Sequence, residues 1–144
     1  MSIPRCVVFD TSTLVSAALR VGSVPHRAVF HALSKGEVCV STATLTEMEH
    51  VLQRPKFDRY QPISIRSEFA AMMRENARLC SVSEADEANV APVCRDPKDN
   101  KFLALARVCD AAVLISSDAD LLVMHPWQSV SIITPAAFVA LLQP

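Results

Sequence analysis

Hydrophobic positions along the chain fall into short unbroken runs separated by longer stretches with helical spacing. Residues 5–9 are an apolar run that stops at Asp10, which predicts a buried strand of a parallel sheet. Residues 11–19 place Leu14, Val15 and Ala18 at helical spacing. Pro25 opens a second helix to about Ser34, with Val29, Phe30 and Leu33 as its apolar face and Gly36 as its stop. Residues 37–40 predict the second strand. Ser41 or Thr42 caps a third helix carrying Leu45, Met48, Val51 and Leu52, and Pro55 ends it. A fourth helix over 63–76 turns Ile65, Phe69, Met72 and Met73 inward. Residues 79–82 predict a third strand, and the polar, acidic stretch 84–91 reads as loop. Pro97 opens a fifth helix to about Val108 that buries Phe102, Leu103, Leu105 and Ala106. Residues 112–115 and 129–133 predict two more strands, with a short helix over 118–123 between them. Thr134 and Pro135 are the N-cap and first position of a C-terminal helix.

Strands alternating with helices predict a three-layer α/β/α fold around a mostly parallel, five-stranded sheet. The 144 residues are 51% hydrophobic and 20% charged with two glycines, so one globular domain over 1–144 is expected. Charges interrupt every apolar stretch well before the ~20 residues of a membrane span. Residues 1–5 show no start of a secretory signal, so a cytoplasmic location is the default. The cysteines Cys6, Cys39, Cys80, Cys94 and Cys109 are odd in number and contain no Cys-x-x-Cys pair. Cys6 and Cys39 sit in apolar runs, so neither a disulfide framework nor a zinc site is expected. His26, His31, His50 and His125 lack ligand-like spacing, and His125 before Pro126 is expected on a surface loop. The net charge of −1 is not the footprint of a broadly basic nucleic-acid binder. Contact with nucleic acid must then come from a local basic patch, or from a cation that neutralises acids.

In open α/β sheets, function gathers at the carboxyl ends of the strands. Asp10 follows the first strand directly, and Asp118 follows the fourth after Ser116 and Ser117. Glu47 stands one turn into the third helix, and Asp99 in the first turn of the fifth. Simpler readings compete. Asp96 before Pro97 is an N-cap, with Asp99 at the N3 position of a capping-box-like pair. Asp118 fits a cap as well as a ligand, and Asp120 suits the helix dipole. Asp10 resists such a reading, because a charge straight after a buried strand is costly without a partner or a metal. Grouped carboxylates raise each other's pKa, and a cation reverses the penalty. Oxygen donors alone favour Mg²⁺ or Mn²⁺ over zinc.

Four segments resemble the motifs of one family in order. Val-Val-Phe-Asp-Thr-Ser-Thr-Leu-Val-Ser-Ala over 7–17 is similar to the opening strand and first acid of PIN domains. Leu-Thr-Glu-Met-Glu-His-Val-Leu-Gln-Arg-Pro-Lys-Phe over 45–57 resembles the second-acid helix of a bacterial branch related to the VapC toxins. Arg-Asp-Pro-Lys-Asp-Asn-Lys-Phe-Leu-Ala-Leu-Ala over 95–106 resembles the third-acid helix, and Leu-Ile-Ser-Ser-Asp-Ala-Asp-Leu-Leu over 114–122 the fourth-acid turn. The resemblance implies metal-dependent RNA cleavage, with Asp10, Glu47, Asp99 and Asp118 as ligands of Mg²⁺ or Mn²⁺ and Asp120 as an auxiliary acid. It also implies an antitoxin protein partner and a homodimer. Thr11, Ser12 and Ser117 are expected to hydrogen-bond the site or the substrate. Two positions depart from the family: Ser12 stands where Asn is frequent, and Ser116-Ser117 precede Asp118 where Thr-Gly or Thr-Arg is frequent. Both keep a small polar group, so tuning rather than inactivation is expected.

Around the acids, Arg54 and Lys56 belong to a basic-aromatic stretch with Phe57, Arg59 and Tyr60 that suits phosphates and bases, or equally core-edge packing with solvated charges. Arg95 and Lys98 form a second candidate phosphate clamp. A phosphatase using an aspartate nucleophile after its first strand needs Asp-x-Asp-x-Thr, and Ser12 replaces its second aspartate. The non-enzymatic alternative is a catalytically silent PIN-like module that binds RNA or protein.

Overall fold

The computed structural model describes residues 6–142; residues 1–5, with Arg5 of the first predicted strand and the stretch read for a secretory signal, lie outside that range. The strands are β1 (Cys6–Phe9), β2 (Glu37–Val40), β3 (Arg78–Leu79), β4 (Val113–Ile115) and β5 (Ser131–Ile133). They form one sheet in the order β3-β2-β1-β4-β5, and every pairing is parallel. The helices are α1 (Thr11–Leu19), α2 (Val24–Lys35), α3 (Thr42–Leu52), α4 (Ile63–Asn76), α5 (Glu84–Ala88), α6 (Asn100–Val108), α7 (Ala119–Leu122) and α8 (Pro135–Leu141). Short 3₁₀ turns precede α4 and α6 at Pro55–Phe57 and Pro97–Asp99.

Strand alternation sorts the core into two layers. Val7, Phe9, Val38, Val40, Val113 and Ile115 face α1, α2, α3, α4 and α8. Cys6, Val8, Cys39, Leu114 and Ile132 face α6 and α7, with Trp127 filling the far end. Parallel strands are buried on both faces, which is why these segments read as continuous apolar runs. Phe138 and Val139 belong to the first layer, where the Phe138 ring meets Phe9 edge-on at 6.5 Å. Those two residues are therefore core, and each contributes ~1.5–3 kcal/mol of burial.

Side-chain oxygens begin most helices. Asp10, Ser23, Ser41, Ser83 and Thr134 each accept a backbone N–H from the first turn of α1, α2, α3, α5 and α8. Helix α5 corrects the loop expected at 84–91. It has no buried residue, so it left no apolar period; a Ser83–Asp86 capping box starts it instead.

The inner face of α4 is also shifted from expectation. Ile65 is exposed, and its neighbour Arg66 is fully buried. Arg66 donates to the carbonyls of Gln61 (3.0 Å), Arg54 (3.1 Å) and Leu52, and pairs with Asp58. Its five N–H donors tie up the connector that would otherwise leave backbone acceptors bare. Phe30 points outward too, because α2 packs through Ala28, Val29 and Ala32. The cysteine expectation also changes: Cys6 and Cys39, on neighbouring strands, are bonded as a disulfide. His125 is exposed as expected, and its Nδ1 accepts the Ile132 N–H at 2.9 Å.

Candidate metal centre

The strand order reverses between β1 and β4, and a crevice opens there beyond their carboxyl ends. Register then decides which polar residues meet. Phe9 pairs with Ile115, and pairing runs one residue further: Asp10 N–H donates to Ile115 O at 3.1 Å, and Ser116 N–H to Ile133 O at 3.0 Å. Asp10 and Ser116 thus come side by side. The Ser116 hydroxyl donates to Asp10 Oδ2 and accepts the Asp118 N–H at 2.9 Å, so one serine links two acids. Asp10 Oδ1 accepts from Thr13 N–H at 2.9 Å and from the Ser12 hydroxyl at 3.3 Å. Asp10 is only 3% exposed. Burial pushes its carboxyl above the ordinary range, and the bonds from Ser116, Thr13 and Ser12 only partly oppose that.

Asp99 does not take the capping role that competed with its reading as a ligand. Asp96 does the capping, accepting the Lys98 N–H at 3.1 Å. Asp99 stands at the N-terminus of α6 without a side-chain cap bond, and its buried Oδ2 has no hydrogen-bond partner. Its pKa is pushed up to about 7, first by burial, then by Asp118 within hydrogen-bond reach, with Asp96 and Asp10 adding to it. Asp118 caps α7 by accepting the Asp120 N–H at 2.9 Å. Capping does not take an acid out of the cleft: Asp10 and Asp118 each line it while capping.

Glu47 completes the quartet differently. Its Oε1 accepts from the Thr11 hydroxyl, and its Oε2 pairs with the Lys101 ammonium. All four acids line one cleft of about 780 Å³, together with Thr11, Ser12, His50, Arg54, Lys98 and Lys101. They form a loose ring: no three of their carboxylates bring oxygens within 4.8 Å of one another. Of the other expected contacts, Arg54 lies in the cleft wall, whereas Lys56, Arg95, Ser117 and Asp120 do not. Ser117 is exposed and Lys56 sits over the Phe57 ring at 5.1 Å. The residues missed from the sequence are Ser116 and Lys101. Ser116 is visible only through the β1–β4 register. Lys101 is two residues from Asp99, but its pairing spans 54 positions and carries no local signal.

The donor set tests well for a hard divalent ion. It is made of carboxylate oxygens, burial raises the pKa of Asp10 and Asp99, and one buried oxygen has nothing to bond. The four acid-bearing segments occur in chain order, and the PIN-domain family pattern matches residues 6–120. The chain belongs to the PIN-domain family. Solved PIN structures share its fold. VapBC2 from Rickettsia felis, bound to a DNA fragment from their promoter, superposes with a TM-score of 0.64 at 8% identity, over 90% of this chain and 98% of that one. VapC20 from Mycobacterium tuberculosis, a Sarcin-Ricin loop cleaving toxin, gives 0.56 at 16% identity, over 87% and 98%. FitAcB from Neisseria gonorrhoeae gives 0.57 at 13%, over 90% and 98%. No curated protein matches the chain. Among the described residues, no helix of this PIN domain is long and apolar enough to cross a membrane.

Proposed function

We propose that this PIN domain is a metal-dependent endoribonuclease, the toxin component of a toxin–antitoxin pair, which hydrolyses RNA phosphodiesters. The observation that carries the reading is Asp99: a half-buried carboxyl with one buried, unpartnered oxygen, facing Asp118 and near Asp10, in a cleft that also holds Arg54 and Lys98. Asp10, Asp99 and Asp118 hold Mg²⁺ or Mn²⁺. The ion supplies Lewis-acid charge stabilisation at a phosphodiester and a lowered pKa for water. Glu47 is the fourth acid, held by Thr11 and neutralised by Lys101 until a cation competes for it. Ser116 fixes the relative placement of Asp10 and Asp118, and Ser12 steadies Asp10. Arg54 and Lys98 face the RNA backbone inside the cleft. Lys56, Arg95 and Ser117, outside it, are assigned to the flanks of a longer RNA, and Asp120 to the outer edge of the acid group.

The toxin role extends to this chain what VapC20, a Sarcin-Ricin loop cleaving toxin, is by name. An antitoxin protein covering the cleft, a homodimer and a cytoplasmic location belong to the same reading. Incubating the purified protein with structured and unstructured RNA, with Mn²⁺ and without, tests it. Cleavage that needs the ion and is lost in Asp10→Asn supports the assignment. RNA binding without cleavage at any Mg²⁺ or Mn²⁺ concentration identifies a silent binding module instead.

A further inference from the structure

Four of the five cysteines converge on one face of the sheet, away from the acids. Cys6 of β1 and Cys39 of β2 point to the α6 side. Arg78 of β3 pairs directly with Cys39, and the Cys80 N–H donates to Val40 O at 2.7 Å, so the ladder continues past β3. Alternation then puts Arg78 and Cys80 on the same face as Cys39. Cys109 closes α6 as its C-cap, above that face. The sulfurs of Cys6, Cys39 and Cys109 lie within 4.8 Å of one another. Cys6 and Cys39 are bonded, whereas Cys80 and Cys109 are free thiols. Cys80 Sγ donates to Arg78 O at 3.9 Å and neighbours both Cys109 and the Arg78 guanidinium, which itself pairs with Glu37 at 2.9 Å. Cys6, Cys39 and Cys109 are buried, while Cys80 is half-exposed.

A chain of contacts therefore runs from solvent to a buried disulfide: Arg78, Cys80, Cys109, then Cys6–Cys39. Of these four sulfurs Cys80 alone is accessible, so it is the one an external thiol or disulfide meets. Burial pushes the Cys109 thiol up to about 12, so that thiol reacts only when a neighbour takes its proton.

We propose that these cysteines form a thiol–disulfide exchange site, in which Cys80 meets an external thiol or disulfide and Cys109 relays the exchange to the buried pair. In the first step the Cys80 thiolate takes the Cys109 proton, and the Cys109 thiolate attacks one of the two bonded sulfurs. A bond to Cys109 forms, the Cys6–Cys39 bond breaks, and the released thiolate takes up a proton. In the second step Cys80, again deprotonated, attacks the Cys109 sulfur. A Cys80–Cys109 disulfide forms, and the last thiolate of the original pair leaves and is protonated. The disulfide has moved, and no electrons are gained or lost overall. The new bond is half-exposed, so an external thiol reduces it at Cys80. The site thus joins the redox state of the surroundings to a covalent tie between β1 and β2.

Non-reducing peptide mapping of the full chain, after timed exposure to a small monothiol and alkylation, tests this. In the wild type a Cys80–Cys109 linkage appears while Cys6–Cys39 is lost. Cys80→Ser slows loss of the buried disulfide about tenfold or more, and Cys109→Ala does the same. Should Cys109→Ala fail to fold, the half-exposed Cys80→Ser variant decides alone. Equal rates in wild type and Cys80→Ser overturn the proposal. So does absence of any Cys80–Cys109 linkage. Uptake of one Zn²⁺ by the reduced protein, with all four thiols protected from alkylation, also overturns it and makes the cluster a metal site.

Discussion

Arg66 and Asp99 are two charged groups drawn out of solvent, and the protein treats them in opposite ways. Arg66 is 0% exposed, and every part of its guanidinium is engaged by Gln61, Arg54, Leu52 or Asp58. Asp99 has a buried oxygen with no donor at all, and its nearest charged neighbours are other acids. A buried polar atom left unmade costs ~1–3 kcal/mol. A chain that satisfies Arg66 so fully leaves Asp99 bare, and on the proposed reading an external cation relieves that deficit. The two are also joined in space: Arg66 holds the end of α3, and that segment carries Arg54 and Phe57 into the cleft wall. Arg66 builds the scaffold, and the proposed function makes Asp99 a cation ligand.

Removing each charge separates the roles. The largest effect is expected from Asp10→Asn: cleavage falls on the order of 10³-fold, as loss of several kcal/mol of transition-state stabilisation requires. Circular dichroism and Tm should stay near wild type. Next is Arg66→Met, which keeps the bulk but strands the carbonyls of Leu52, Arg54 and Gln61. Chemical denaturation should show a loss of about 3 kcal/mol. If Arg66→Met left stability unchanged, the knot would not be structural.

Smaller and of opposite sign is Asp99→Asn in metal-free protein. Asp99 keeps its proton to about pH 7 in the folded state, against an ordinary value of 3.8. The unfolded chain therefore binds fewer protons between those values, and stability falls as pH rises through the window. Asparagine removes that loss. Allowing for solvent screening, the variant's Tm should exceed wild type by about 4 °C at pH 8, with the gap closing near pH 4. Calorimetry across pH measures it, and a gap that is constant with pH would break the argument. The smallest effect is Lys101→Met. Freed of its lysine, Glu47 turns to the cation, and half-maximal activity should need about threefold less Mn²⁺.

Most of the fold was legible because parallel strands are short apolar runs and the helices have strong start signals, such as Ser41 and Thr134. Where apolar periodicity was absent or misleading, reading failed. Helix α5 buries nothing, and a period count on α4 favoured Ile65 over the arginine that is inside. Long-range partners were beyond reach for a different reason. Ser116 rather than Ser117 bonds Asp10 because of a strand register, and Lys101 meets Glu47 across the cleft. The Cys6–Cys39 bond likewise needs the β1–β2 pairing, since apolar context alone makes each cysteine look like a small hydrophobe. Asp99 was readable as an acid in the right segment. Its lack of a cap bond, which separates ligand from cap, required coordinates.

Direct Mn²⁺ binding tests the acid cleft most plainly. Titration at pH 8, read by loss of the free-ion electron paramagnetic resonance signal, should show saturable binding by the wild type. Asp99→Asn and Asp10→Asn should bind at least tenfold more weakly, each losing an anionic ligand worth over ~1.4 kcal/mol. Glu49→Gln, which pairs with Arg74 outside the cleft, should bind as the wild type does. Equal Mn²⁺ affinity in wild type and Asp99→Asn would contradict the account.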